Sequence, residues 1–580
     1  MERLRLAGAQ INTVVGDLDG NADRVVAAYA EAVRHRAHVV VFPELTVTGY
    51  PPEDLVFKPS FLAASRATVQ RLAREFDDTA AVVGFVDPTP AGPANAAALC
   101  AHGRVLGVYH KILLPNYGVF DEERYFVPGD ELLLATFGGV QVAVAICEDL
   151  WFPWGPMAAD VAAGAEVVVS LNASPYRLEK GDRLAPMLAT RAADHGAHLF
   201  WVNQVGGQDE LVFDGQSTYV DPQGRTLARA GAFDEELLLV DLALEEGANA
   251  RLSDRPRRAP ASDPRPRLSE RRVQVCDALP DPGPPLPRRL AVPLNAEAEV
   301  YRALVTATRD YVVKNGFESV LVGLSGGIDS SLVATVACDA LGRERVTGVA
   351  MPSAYSSEGS VGDARALAGN LGIRLLVLPI VEPVEAFLGV LKEPFAGTVE
   401  GIAEENLQSR ARGVLLMGLS NKFGSMLLNT GNKSELAVGY CTLYGDMAGG
   451  YAVIKDVPKT LVYELARWRN EAGVVIPQSV LDKPPSAELH PGQLDTDSLP
   501  PYEVLDPVLE GYVEDDLSTD ELAAQGFDRE VVEKVVRLVD RAEYKRRQAP
   551  PGPKVTGRAF GKDRRLPITN RFHGRTDPAG

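Results

Sequence analysis

Between about residues 247 and 290 the chain changes character. The stretches RLSDRPRRAPASDPRPRLSERR and ALPDPGPPLPRRL are rich in Pro, Arg and Asp. They hold too little apolar side chain to offset the entropy of ordering them. The segment reads as an extended linker or wrapping arm, and it excludes one continuous hydrophobic core. At 580 residues the chain already exceeds what a single core usually supports. The reading is therefore a first globular half over 1–246, the 247–290 linker, a second half over 291–548, and a Pro/Gly/basic tail over 549–580. No internal repeat relates the halves.

Composition narrows the class. A hydrophobic content of 46% and a charged content of 24% are ordinary for a globular protein. The net charge of -19 argues against a nucleic-acid or anionic-membrane partner. Small anions stay open, because local dipoles bind them. Five scattered cysteines suggest neither a disulfide framework nor a structural zinc site. The first residues, MERLRLAGAQINTVVGD, lack a signal-type apolar region, and no run reaches the ~18 apolar residues of a spanning helix. A cytoplasmic protein is expected.

The first half alternates apolar strands such as RLAGAQI and HVVVFPEL with amphipathic helices such as NADRVVAAYAEAVRHRA. Hairpin patterns follow at AALCAHGRVLGVYHK, LLLATFGGVQVAVAI and LVFDGQSTYVDPQGR. Continuous apolar strands imply sheets covered on both faces, so an α-β-β-α sandwich is expected. The second half opens with a helix and then repeats βαβ units: SVLVGL, SSLVATVACDAL, RVTGVAM, VGDARALAGNLG, LLVLPI. That order predicts an α/β doubly wound parallel sheet with ligands at the carboxyl ends of its strands.

The loop in LVGLSGGIDSSL, Leu321 to Leu332, sits between the first of those strands and its helix. It has no lysine, so it is not an ordinary P-loop. Gly326 and Gly327 let the backbone turn and approach a ligand, and the helix start presents N–H groups and positive dipole. Ser325, Ser330 and Ser331 add hydroxyls, so a phosphate can be held without lysine. In the first half, VAVAICEDLWFP puts Cys147 at a buried strand end. VVFPELTVTGY and VYHKILLP put Glu44 and Lys111 at two others. Each residue alone is commonly a core cysteine or a strand-terminating charge. Together they offer a nucleophile, a base and a cation where a sheet opens outward.

These motifs carry a resemblance. S-G-G-x-D-S resembles the pyrophosphate loop of N-type ATP pyrophosphatases. The segments ENLQSRARG, NTGNKSELAVGYCTLYGD, KDVPKT, KPPSAEL and EYKRRQ are similar to those of NAD+ synthetases. Glu44, Lys111 and Cys147, in that order, resemble the triad of the nitrilase/amidase superfamily. Apart from the linker and the tail, the chain therefore resembles the glutamine-dependent NAD+ synthetases. The resemblance implies a nitrilase-like α-β-β-α glutaminase domain and a Rossmann-like synthetase domain. It implies ATP-dependent amidation of deamido-NAD+ through an adenylated carboxylate, with ammonia from glutamine travelling an enclosed passage.

By the same resemblance Glu122 joins the triad, with its neighbour Glu123 as the alternative. Tyr117, Ser174 and Lys180 would hold glutamine. Gly323, Leu324, Ser325, Gly326, Gly327, Ile328, Asp329, Ser330 and Thr430 would bind ATP. Asn406, Glu435 and Lys545 would bind deamido-NAD+. Asp329 and Glu435 are carboxylates suited to Mg²⁺, which takes one or two carboxylates plus phosphate oxygens. No prosthetic group is implied, the partners are the small-molecule substrates, and a homo-oligomer is expected. Three rivals are open on the residues alone: an amidotransferase for another carboxylate, a non-catalytic first half, and a non-enzymatic assembly protein.

Overall fold

The computed structural model describes residues 3–244, 268–490 and 492–572. The chain divides into two compact units, with the second beginning in the main at Asn295 and also holding Asp209–Val212.

The first unit has two sheets. One has six strands in the order Glu236–Ala243, Arg3–Gln10, Val39–Val41, Ala80–Thr89, Gly92–Ala101, Arg104–His110. The other has seven, in the order Thr226–Arg229, Thr218–Val220, His198–Asn203, Val167–Asn172, Val140–Ile146, Glu131–Phe137, Ser269–Cys276. The strand period of two sorts side chains into layers. Leu4, Leu6, Val39 and Val41 meet Val142, Val144, Val169 and Leu171 between the sheets. Ala7, Ala9, Val40 and Phe42 face the opposite way, onto Val25 and Tyr29 of the helix Leu18–Arg34 and Val69 and Leu72 of Pro59–Ala73. Leu132, Leu134, Val168 and Trp201 cover the other outer face with Met157, Leu184 and Leu188. This is the α-β-β-α sandwich expected from the uniformly apolar strands.

Three expectations change. The supposed hairpin LVFDGQSTYVDPQGR is not one: Leu211–Asp214 pairs with Val205–Gln208, whereas Thr218–Val220 pairs with His198–Asn203 and Thr226–Arg229. Gly215 and Gln216 both take positive φ between them, and Gln10 accepts the Ser217 N–H, which turns the chain out of a simple return. The described part of the supposed linker, 268–290, is folded onto the first unit. Ser269–Cys276 adds a parallel edge strand, and Arg5 donates to the carbonyls of Pro282 and Pro284 while His38 meets that of Pro280. Backbone hydrogen bonds, invisible to an apolar count, hold it. The earlier linker residues 247–267 lie outside the described residues. Likewise Gly552 to Thr556 of the supposed tail are buried, with Asp456 accepting from the N–H groups of Val555 and Thr556; residues 573–580 lie outside the described residues.

The second unit carries a five-stranded, wholly parallel sheet in the order Arg374–Val377, Val346–Ala350, Val320–Gly323, Met426–Asn429, Tyr451–Ala452. The sequence order reverses beside Val320–Gly323, which makes the end of that strand the switch point where such sheets bind ligands. The helix Ile328–Leu341 follows it directly. The helix Ile402–Phe423 packs Leu415, Leu416 and Leu419 against Leu321, Val349 and Leu427. A cluster of helices toward the carboxyl end, including Lys433–Val438, Tyr502–Leu509 and Arg529–Arg541, packs around Leu436, Leu505 and Val535 and fixes the helix bearing Glu435.

Candidate functional site

In the first unit the strand ends bring Glu44, Lys111, Glu122 and Cys147 together in a buried cluster. Lys111 Nζ lies 2.7 Å from Glu44 Oε1 and 2.8 Å from Glu122 Oε2. Glu44 Oε1 also accepts from Asn95 Nδ2 at 2.7 Å, and its Oε2 accepts the Ala173 N–H at 3.0 Å. Tyr50 donates to Glu122 at 2.9 Å. Glu122 is the glutamate that reaches Lys111; Glu123 meets Asn116 Nδ2 instead.

One buried ammonium facing two carboxylates leaves a surplus negative charge, which makes their protonation easier. Burial raises Glu122 to about 7, against the pull of Lys111. Burial works against the Lys111 charge, but Glu122 and Glu44 hold its pKa well above the usual lysine range. Burial, with the Glu44 charge, also pushes the Cys147 thiol well up. The resting nucleophile is therefore a neutral thiol beside a base, not a standing thiolate. Cys147 has φ +43 at the start of the tight turn Cys147–Leu150. That left-handed conformation is strained for a residue with a side chain, and such strain concentrates at functional sites.

The residues assigned to glutamine are arranged differently from one another. Tyr117 is exposed, and its hydroxyl donates to both oxygens of Glu148 at 3.0 Å. Ser174 is buried, and its N–H donates to Asn203. Lys180 is buried in an ion pair with Asp214 at 2.9 Å and donates to the Ser174 carbonyl at 2.8 Å, so it supports the Ser174 turn.

In the second unit the loop borders a cavity of about 300 Å³. Gly323, Leu324, Ser325, Gly327, Ile328, Asp329, Ser330, Thr430 and Glu435 line it. Gly326 turns the loop with φ +79, and a Cβ there would stand 2.2 Å from the Ser360 carbonyl oxygen, so only glycine fits. The Ser325 and Ser330 hydroxyls are 3.1 Å apart, and both Ser330 and Ser331 donate to the Gly327 carbonyl. The first N–H groups of the next helix have no acceptor within the helix. Asn406 and Lys545 are not among the lining residues. Asn406 accepts from Thr442, and Lys545 donates to the carbonyls of Gly439 and Cys441, so both brace the segment behind Tyr440 and Cys441 of the wall.

Three participants escaped the sequence reading. Lys459 reaches Asp329, with Glu435 Oε1 at 3.4 Å. Its signal was the KDVPKT segment, already recognised but not resolved to a residue. Glu148 follows the nucleophile directly, and Asn95 ends no apolar run, so nothing local marked it. The Mg²⁺ ligands expected, Asp329 and Glu435, flank that Lys459 ammonium. Among the described residues the second oxygen of Glu435 meets just the Asn432 N–H, at 3.4 Å, and burial raises its carboxyl to about 8. A half-buried carboxyl with such weak donors, beside a second carboxylate and a phosphate-type loop, fits a divalent cation that completes its shell with phosphate oxygens.

The comparisons agree with one another. Residues 300–549 match the NAD synthase family and residues 5–252 match the carbon-nitrogen hydrolase family. The glutamine-dependent NAD(+) synthetase of Thermotoga maritima is 48% identical over 577 residues, 99% of each chain. That of Aquifex aeolicus is 46% identical, covering 98% of this chain and all of its own. The solved structure of the enzyme from Acinetobacter baumannii, in complex with adenosine diphosphate, is 41% identical with a TM-score of 0.74, covering 98% of this chain and 99% of its own.

Proposed function

The chain belongs to the glutamine-dependent NAD+ synthetases, and from that premise we propose how its two sites divide the reaction. The enzyme amidates deamido-NAD+ to NAD+ with ATP and glutamine, releasing AMP, pyrophosphate and glutamate. One observation carries the assignment of residues. A single chain holds two complete and chemically different constellations: a buried Glu–Lys–Cys cluster, and a lysine-free glycine loop at a sheet switch point.

In the first unit Glu44 takes the Cys147 proton as sulfur attacks the glutamine side-chain carbonyl carbon. Proton transfer during attack is needed because the thiol is held neutral. Lys111 faces the oxyanion that forms, and its charge is kept by Glu122. Glu44 then gives its proton to the leaving nitrogen, the C–N bond breaks, and ammonia departs. Water, deprotonated by Glu44, cleaves the thioester to glutamate and regenerates the thiol. Glu148 and Tyr117, beside the nucleophile, offer a carboxylate and a hydroxyl to the α-ammonium and α-carboxylate of glutamine. Ser174 supports them from the other side, on a turn held by Lys180.

In the second unit the nicotinate carboxylate attacks the α-phosphorus of ATP, and the bond to pyrophosphate breaks. The loop from Ser325 to Ser330 and the helix start receive the departing pyrophosphate. The Lys459 ammonium neutralises charge at the same place. Ammonia then attacks the acyl adenylate and displaces AMP. A relative solved in complex with adenosine diphosphate supports nucleotide binding by this chain. Asp329 and Glu435 would hold Mg²⁺, which when bound screens the phosphate charges. Asn406 and Lys545 shape the deamido-NAD+ side of the pocket through the segment 439–442.

A homo-oligomer is part of this proposal. Val390, Val399, Ile402, Val414 and Phe423 expose apolar surface on and around the helices Val381–Leu391 and Ile402–Phe423. Among the described residues no helix is long and apolar enough to cross a membrane, and the five cysteines are free, which suits the cytoplasm. The test is a substrate screen that follows AMP release and amide formation. NAD+ forming from deamido-NAD+, ATP and glutamine supports the reading; turnover of another carboxylate but not of deamido-NAD+ would overturn it.

A further inference from the structure

We propose that Asp149 is a positioning residue for the amidase chemistry, a single carboxylate that locks the strand end bearing Lys111 to the strand end bearing Cys147. The inference rests on the amidase reading of the first unit. Lys111 follows the strand Arg104–His110, at the edge of the six-stranded sheet, and Cys147 follows Val140–Ile146, inside the seven-stranded sheet. No ladder joins these two strands, so the spacing of the cation and the nucleophile is not set by strand register.

Asp149 bridges that gap. Its Oδ1 accepts the N–H groups of Ile112 at 3.2 Å and Leu113 at 2.9 Å, the two residues after Lys111. Its Oδ2 accepts the N–H of Ile146 at 3.0 Å, the residue before Cys147, and the Tyr109 hydroxyl at 2.7 Å, two residues before Lys111. Both catalytic backbones are thus bracketed by donors to one fully buried side chain. A turn cap alone would use only the Ile146 N–H; the other three donors are Tyr109, on the edge strand of the opposite sheet, and Ile112 and Leu113, in the loop that follows it. Glu44 shows the same device, since its Oε2 accepts the Ala173 N–H across the sheets. An ionised carboxylate accepts at both oxygens, whereas an amide presents a donor at one of them. Asparagine therefore cannot serve all these donors, although it fills the same space.

The experiment uses the full-length chain with Asp149→Asn and, as the milder variant, Tyr109→Phe, which removes one donor and no charge. Three readouts are taken: kcat and KM for glutamine hydrolysis, the rate at which iodoacetamide alkylates Cys147, and NAD+ synthesis driven by ammonium. For Asp149→Asn, kcat should fall about 30-fold or more with KM held within about threefold, because a misplaced nucleophile loses transition-state contacts first. Alkylation should slow about tenfold, and ammonium-driven synthesis should stay within about twofold. Tyr109→Phe should lower kcat about threefold at unchanged KM. Glutaminase kcat within twofold of the parent in Asp149→Asn, or a raised KM with kcat kept, overturns the inference. If Asp149→Asn does not fold, an unchanged kcat in Tyr109→Phe overturns it. A parent enzyme that hydrolyses no glutamine would instead overturn the amidase reading.

Discussion

Lys111 and Lys459 are each a buried ammonium between two carboxylates, yet the two trios are built for different states. Around Lys111 the oxygens of Glu44 and Glu122 are served by the protein itself, from Asn95, Tyr50, the Ala173 N–H and the lysine. That network is finished before any substrate arrives, as a covalent mechanism requires of its base and its oxyanion partner. Around Lys459 the Glu435 carboxyl has only 3.4 Å contacts, and its pKa stands at about 8. That trio lines a cavity, with Asp329 also accepting from Asn432 Nδ2 at 3.0 Å. Preorganisation suits the site proposed to release ammonia; loosely held carboxylate oxygens on a cavity wall suit the site that uses ATP.

Substitutions can break this contrast, the strongest first. Glu44→Gln removes the base from the finished network. Glutamine hydrolysis should drop by about 10³-fold or more, with ammonium-driven synthesis kept, as read by glutamate release and NAD+ formation. Lys459→Met should do the reverse, lowering synthesis by about 10²-fold with either nitrogen donor while glutamine is still cleaved. Glu148→Gln should raise KM for glutamine about tenfold with a smaller change in kcat, if its carboxylate meets the substrate ammonium.

The smallest effect is a pH effect. With Glu435 raised to about 8, a divalent cation held there as proposed would compete with a proton near pH 7. The apparent Mg²⁺ requirement should therefore ease about three- to tenfold between pH 7 and 8 and level off above it. Glu435→Gln should flatten the dependence. A requirement that tightens as pH falls would sharpen the contrast; one indifferent to pH would remove Glu435 from the cation site.

Much of this was legible in sequence, for stated reasons. Strand periodicity and glycine placement marked the two folds, and Cys147, Glu44 and Lys111 stood out because each ends an apolar run. What was not legible depends on meetings between distant segments. Asn95 and Ala173 reach Glu44 from other strands, and Lys459 reaches Asp329 across 130 residues. The arm at 268–290 looked structureless because arginines and backbone carbonyls, not apolar side chains, hold it. The Asp214 partner of Lys180 lies 34 residues away, so no local pattern marked it.

In the proposed division of labour Cys147 releases ammonia from glutamine, and ammonia is the nitrogen donor the second unit uses. The direct measurement is AMP and NAD+ formation by Cys147→Ala with deamido-NAD+ and ATP, comparing glutamine with an ammonium salt. No glutamine-driven NAD+ above background is expected, with ammonium-driven rates within about twofold of the parent enzyme. Glutamine-driven synthesis that survives the substitution would contradict that division of labour.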